Sequence, residues 1–226
     1  MERDSDDILC NSGSPMACFS KMTLENACSA VDLLVVVRDV VIVLKKLFFE
    51  HQILHRHIDF DTISVREDVD SVKGVVLDLD FPDVKEGSSR STMGHASCGM
   101  FTFHSLKRIR DSYNKEIHEH TIQDDLESVF YALCWACYGY DHTGRPDKFR
   151  PDWMNKWMER HAISTAYCNR RLFRSSEIPS HVNRYMGCQR DALESVIEEV
   201  RRTLCNISDD PEEACAAFMD ILEKGI

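Results

Sequence analysis

The sequence predicts a mainly α-helical protein with one small β-hairpin. Apolar residues recur at helical spacing from Thr23 to Ile53, and the stretch from Leu126 to Tyr138 is apolar on almost every side. Between them, Ile63-Ser64-Val65 and Gly74-Val75-Val76-Leu77 are short apolar runs separated by polar residues, a pattern typical of a hairpin. These three observations together predict the fold class.

The first predicted helix runs from Thr23 to Ile53. Glu25 lies near its N-terminus, where a carboxylate interacts favourably with the helix dipole. Many of its apolar positions are valine, however, and β-branched side chains lose rotamer freedom in a helix. A pair of strands is therefore the competing interpretation of this segment.

The hairpin is followed by a predicted loop and then by a buried helix. Residues 83–98 are rich in glycine, serine and charge and show no period. Asp124 or Asp125 is placed to cap the helix Leu126 to Tyr138. Because a helix that is apolar all round needs burial on every side, we expect this one at the centre of the domain.

Three amphipathic helices are predicted in the C-terminal part, over Trp153–Phe173, Val182–Leu204 and Pro211–Lys224. No change in composition divides the chain. We therefore expect an acidic, irregular segment over residues 1–22 and one domain over residues 23–226.

Composition excludes several classes of function. The net charge is −11 and the basic residues are scattered, so neither nucleic acid nor an anionic membrane is an expected partner. The apolar region from Val31 to Phe49 contains charged residues, and the acidic N-terminus does not resemble a secretory leader. The ten cysteines are expected to stay reduced, which predicts an intracellular protein of the cytoplasm or nucleus.

Four local sequences, in this order, resemble the C-terminal lobe of the fungal-type protein kinases. His55-Arg56-His57 follows the long helix, where kinases carry the His-Arg-Asp catalytic loop, and Leu77-Asp78-Leu79-Asp80 follows the hairpin, where they carry Asp-Phe-Gly. Gly99 to Phe103 is similar to that family's Gly-Thr-x-Pro-Phe stretch. Asp125 to Trp135 is similar to its Asp-Leu-Glu-Ser-x-Phe-Tyr signature. A weaker likeness covers Trp157 to Phe173.

The resemblance implies that most residues of phosphoryl transfer have been replaced. Kinases use an Asp to accept the substrate proton, and an Asn and a second Asp to hold magnesium. His57 replaces the first of these and Thr62 the second, which leaves Asp78 as the candidate ligand for a metal or nucleotide. His57 could act as a base near neutral pH, and Asp59 and Asp61 lie close enough to substitute as ligands.

The resemblance also implies two structural roles and one missing part. Asp125 matches the residue that holds the catalytic loop through backbone hydrogen bonds, whereas Lys107 replaces a Glu that anchors the activation segment. Only about two dozen residues precede the long helix, too few for a five-stranded sheet of roughly 5–6 residues per strand. We therefore expect a large lobe without the small lobe.

Three hypotheses for function follow. The first is a pseudokinase-like interaction module that binds a protein partner, or itself, through its exposed upper face and needs no cofactor. The alternative is a protein serine/threonine kinase that uses ATP and magnesium and needs a partner or a longer chain. A third is a partial gene product without an independent role.

Other clusters have an ordinary interpretation beside the functional one. Cys134 and Cys137 form a CxxC, but they lie within an apolar helix and are predicted to be core thiols. His51, His55 and His57, with Asp59 and Asp61, would suit a metal only if the helix continued past Gln52. His118-Glu119-His120 is predicted to be a solvated loop, and Asp209 to Glu213 the start of a helix.

Overall fold

The computed structural model describes residues 22–68, 71–79, 103–116, 119–141, 143–148, 150–157, 182 and 188–226. The predicted loop over residues 83–98 and the segment Gly99 to Phe103, except Phe103 itself, lie outside these ranges. So do residues 1–21 of the predicted N-terminal segment.

The first helix, α1, spans Ala30–His51. It begins later than predicted because Leu24–Asn26 forms a short 3-10 helix and Ser29 then caps α1, its hydroxyl accepting from the backbone N–H of Asp32 at 3.0 Å. Gln52 ends the helix in the left-handed conformation. The competing prediction of a strand pair is wrong, because burial of one continuous face outweighs the low helix propensity of valine.

The hairpin consists of β1, Ile63–Asp68, and β2, Ser71–Val76. The strands pair antiparallel in a register that joins Ile63 to Val76 and Asp68 to Ser71, so both are longer than predicted and Leu77 lies outside. Gly74 carries β2 across α1, where a Cβ atom would come within 2.2 Å of the Val36 carbonyl oxygen. Only glycine permits this approach.

A short helix that was not predicted, α2, spans Leu106–Asn114. It buries only Ile109 and Asp111, which is too little to give a clear apolar period. The central helix, α3, spans Ile122–Gly139, and every residue in it except Gln123 is buried. Its position at the centre of the domain is as predicted, but Thr121 is its capping residue, not Asp124 or Asp125.

Three helices follow: α4 over Asp152–Trp157, α5 over Cys188–Cys205 and α6 over Pro211–Gly225. The prediction for α6 is confirmed, with the Asp210 carboxylate accepting from the N–H groups of Glu212 and Glu213, each at 2.9 Å. The predicted helix Val182–Leu204 begins too early, since Val182 is not helical. Of the predicted helix over Trp153–Phe173, the structure describes residues 153–157, which lie in α4.

Helix α1 is the element around which the others pack. It contacts β2, α3, α5 and α6, and their apolar side chains form one contiguous core. The mainly helical fold with one antiparallel hairpin is therefore confirmed. Among the described residues, no helix combines the length and the apolar character needed to span a membrane.

Candidate functional site

The predicted site residues meet where three segments converge. The loop between α1 and β1 carries His55, Arg56, His57 and Thr62, and it contacts the residues after β2 and the first turn of α3. Leu77 joins these parts, because its N–H donates to the Thr62 carbonyl at 2.8 Å.

His55 is the buried centre of this loop, only 4% exposed. Its Nδ1 accepts a hydrogen bond from the N–H of His57 at 3.3 Å, and its Nε2 lies 2.8 Å from the carbonyl oxygen of Leu77. A carbonyl can only accept, so the neutral ring with its proton on Nε2 satisfies both contacts. His55 thus has a structural role, and both of its ring nitrogens are engaged.

Two residues of the site have a left-handed backbone. Arg56 has φ 66° and Asp78 has φ 60°, and neither residue is glycine. The other described non-glycine residues with positive φ, Gln52 and Lys115, end helices, where this conformation is common. Arg56 and Asp78 have no such reason, so the hydrogen bonds around them hold a strained backbone.

The resemblance to kinases matches His57 to the catalytic aspartate. Its side chain is 37% exposed, but Nε2 is enclosed, lies 3.5 Å from Oδ2 of Asp59 and makes no hydrogen bond. The distance is longer than a hydrogen bond with good geometry. This nitrogen therefore faces a carboxylate within its own loop.

Thr62, which the same resemblance matches to the magnesium-binding asparagine, is 1% exposed. Its hydroxyl accepts from the N–H of Asp59 at 2.9 Å and donates to the carbonyl of Asp59 at 3.1 Å. In return, the Asp59 carboxylate accepts from the N–H groups of Asp61 and Thr62, each at 2.8 Å. The two side chains close the turn that leads into β1.

Asp78 remains as an exposed carboxylate after β2. In the part of the chain that the structure describes, no group of three or more potential metal ligands comes together. The cluster of His51, His55 and His57 considered from the sequence is therefore not formed. Helix α1 ends at His51, and the turn at Gln52 separates that exposed ring from the loop.

Asp125 is completely buried beneath the loop. Its Oδ2 accepts from the N–H of His55 and its Oδ1 from the N–H of Arg56, both at 3.0 Å. A third donor, Nε2 of His120, lies 2.8 Å from Oδ1. The prediction of a solvated loop is wrong for His120, whose side chain is only 10% exposed, because its partner is a buried carboxylate.

Asp124 forms a second buried anchor in the same turn. Its carboxylate accepts from the N–H of Thr121 at 2.9 Å, from the Thr121 hydroxyl at 3.0 Å and from the Ser105 hydroxyl. Burial opposes ionisation of Asp124, but the charge of His120 and the hydrogen bonds from Ser105 and Thr121 outweigh it and lower the pKa. This carboxylate thus joins the start of α2 to the start of α3.

Helix α2 is held by a further buried acid. Oε1 of Glu127 accepts from the N–H of Leu106 at 3.0 Å and from the hydroxyl of Tyr131. Lys107 follows in the first turn of α2, and none of the described carboxylates pairs with it. Glu127, which the sequence analysis did not single out, therefore supplies an attachment for α2. The Thr-x-x-Asp spacing from Thr121 to Asp124 was the one local signal for these contacts.

The remaining features lie elsewhere. Cys134 and Cys137 are fully buried in the C-terminal half of α3, and neither forms a disulfide. A cavity of about 460 Å³ lies between α1 and α6, and none of its lining residues belongs to the loop. They are Ile42, Lys45, Lys46, Phe49, Glu50, Ala216, Met219 and Glu223.

No curated protein matches the chain. A family model described as fungal protein kinase matches residues 19–137, more than half of the 226 residues. The matched region contains α1, the loop, the hairpin, α2 and nearly all of α3, including Asp78 and Asp125. The chain belongs to the fungal protein kinase family.

Proposed function

We propose that this chain is a pseudokinase of its family, one that does not transfer phosphate and acts by binding protein. The observation that carries the proposal is the environment of the Thr62 hydroxyl. Its hydroxyl is buried and bonded to the backbone of Asp59 as both donor and acceptor. Asp78 is then left without the second ligand that kinases use to hold magnesium against a triphosphate.

The residue at the base position supports the same proposal. A general base must reach the proton that it removes, at hydrogen-bond distance from the substrate hydroxyl. Nε2 of His57 is enclosed and faces Asp59, 3.5 Å from Oδ2. Neither the proton acceptor nor the metal site of a kinase therefore has its usual chemistry here.

The binding surface that we propose is the exposed face of the site, which carries Arg56, Asp78 and Leu79. Leu79 is 42% exposed and directly follows the exposed Asp78 in the chain. Protein interfaces commonly combine an apolar centre with a polar rim. Arg56 and Asp78 both have a left-handed backbone, and hydrogen bonds at Arg56 and at Leu77 hold the chain there, which favours binding without rearrangement.

The test of inactivity uses the purified chain with magnesium and radiolabelled ATP. We expect no phosphate transfer to itself or to a generic protein substrate, and the same result for Asp78→Ala. The double variant His57→Asp, Thr62→Asn restores the two kinase residues and shows whether they are sufficient. Transfer by the wild-type chain that disappears in Asp78→Ala would overturn the proposal.

The test of binding compares two exposed apolar residues. Leu79 lies at the proposed surface and is 42% exposed, while Val31 lies at the start of α1 and is 41% exposed. We expect sedimentation to detect self-association that Leu79→Ser weakens and Val31→Ser leaves unchanged. A wild-type chain that stays monomeric and binds no apolar dye would contradict a self-associating surface.

The second candidate function is a protein kinase that uses His57 as its base. The observation in its favour is the position of the imidazole, whose Nε2 lies 3.5 Å from Oδ2 of Asp59. Thermal unfolding with and without magnesium and ATP tests this candidate. A stabilisation that requires both ligands and is lost in Asp78→Ala supports it, and the absence of any shift excludes it.

A further inference from the structure

We infer that His120 is a positioning residue, which fixes the Asp125 carboxylate and thereby the conformation of the loop at His55 and Arg56. The inference concerns how the loop is held, whatever the loop binds, and so it does not depend on the proposed function. The hydrogen bond from Nε2 of His120 to Oδ1 of Asp125, at 2.8 Å, is the observation on which it rests.

The two oxygens of Asp125 do not have the same number of donors. Oδ2 accepts from the N–H of His55, while Oδ1 accepts from the N–H of Arg56 and from His120. The terminal torsion of an aspartate side chain is soft, and the two loop N–H groups, one on each oxygen, fix it only while the loop keeps its conformation. The third donor lies outside the loop and holds Oδ1 independently of it.

The oxygen that His120 contacts is the one that holds the strained residue. Arg56 has φ 66°, and its N–H donates to Oδ1 at 3.0 Å. A left-handed backbone at a residue other than glycine persists only where its surroundings impose it. His120 thus acts through Asp125 on the backbone of Arg56, without touching the exposed face of the site.

The position of His120 is itself fixed by the cap of α3. Its neighbour Thr121 donates from both its N–H and its hydroxyl to the Asp124 carboxylate. The backbone next to His120 is thereby anchored, and mainly side-chain torsions remain. Burial acts to raise the pKa of Asp124, but the interaction with His120 and the hydrogen bonds from Ser105 and Thr121 lower it, so the cap of α3 and His120 are linked.

Amide hydrogen exchange, resolved by NMR on the full chain, tests the inference. In His120→Ala we expect the amides of His55 and Arg56 to exchange roughly ten-fold faster, since a buried carboxylate loses one donor. Amides of α5 and α6 should keep their rates. His120→Gln supplies an N–H donor of similar reach and should recover most of the protection. His51→Ala, at an exposed histidine, is the matched control.

Two results would overturn the inference: unchanged exchange at His55 and Arg56 in His120→Ala, or acceleration that is equal throughout the chain. The wild-type protein offers an independent measurement should His120→Ala fail to fold. The Nε2 proton of His120 should exchange slowly enough to be detected by NMR, because it is held in the hydrogen bond to Asp125. Rapid exchange of that proton in the wild type would contradict the inference.

Discussion

The imidazole of His55 donates from Nε2 to the backbone carbonyl of Leu77 across 2.8 Å. The N–H of Leu77 donates in turn to the carbonyl of Thr62, also at 2.8 Å. Leu77 is therefore fixed to the loop through both of its backbone groups. Asp78 follows directly, which explains how the structure sustains its left-handed backbone.

Replacement of His55 by phenylalanine tests this link. Phenylalanine keeps an aromatic ring but loses both hydrogen bonds, so the backbone groups of Leu77 and His57 lose a partner. We expect the free energy of unfolding to fall by about 1–3 kcal/mol. Urea denaturation measures the change, with the exposed His51→Phe as control. An equal effect of the two substitutions would show that the His55 contacts contribute nothing specific.

The hydrogen bonds between the Thr62 hydroxyl and the backbone of Asp59 give a second prediction. Thr62→Val keeps the shape of the side chain and removes the hydroxyl, leaving the N–H and carbonyl of Asp59 without this partner. Because these groups lie in a buried turn, we expect a loss of about 1–2 kcal/mol in unfolding free energy. Thr62→Ser retains the hydroxyl and should cost less. If valine proves as stable as threonine, the hydroxyl does not close the turn.

Much of the fold could be predicted from local pattern. Three helices have a signal in neighbouring residues: the apolar period of α1, the apolar character of α3, and Asp210 and Pro211 at the start of α6. Each of these helices was placed correctly apart from its ends. Helix α2 was missed, because only Ile109 and Asp111 are buried along its length. Short helices of this kind depend on tertiary contacts more than on pattern.

The candidate site was predictable only in part, for a related reason. His57, Thr62 and Asp78 could be named as candidate site residues from the order of the motifs along the chain, because a family signature is a pattern in the sequence. The contact of His120 with Asp125 depends on how the chain turns back before α3. The contact of Glu127 with the N–H of Leu106 spans 21 residues. No local pattern in the sequence pairs His120 with Asp125 or Glu127 with Leu106.

Asp124 makes stability depend on pH. Burial acts to raise its pKa, but the charge of His120 and the hydrogen bonds from Ser105 and Thr121 prevail, and the pKa falls below the ordinary 3.8. As pH decreases, the unfolded chain takes up this proton before the folded chain does. The contribution of Asp124 is therefore complete above pH 3.8 and is lost as pH falls through the lower pKa of the folded state.

The measurement compares the wild type with Asp124→Asn by urea denaturation between about pH 3 and about pH 7. We expect the wild type to be more stable than Asp124→Asn at neutral pH. The difference in unfolding free energy between the two proteins should become smaller towards the acid end of the range. Other carboxylates titrate in both proteins and cancel in the difference. A gap that stays constant across this range would show that the ionised Asp124 is not favoured by folding.

Gly74 provides the last prediction, on how the hairpin is placed. A Cβ atom at this position would lie 2.2 Å from the carbonyl oxygen of Val36, which is backbone and cannot move aside as a side chain can. The N–H of Gly74 also donates to Oδ2 of Asp39 at 3.1 Å, so displacement of β2 would weaken that bond as well. We expect Gly74→Ala to lower the free energy of unfolding by about 1–3 kcal/mol or more.

Ser71→Ala, at an exposed position of the same strand, should have little effect. Equal stability of the two variants in urea would mean that β2 does not approach α1 this closely.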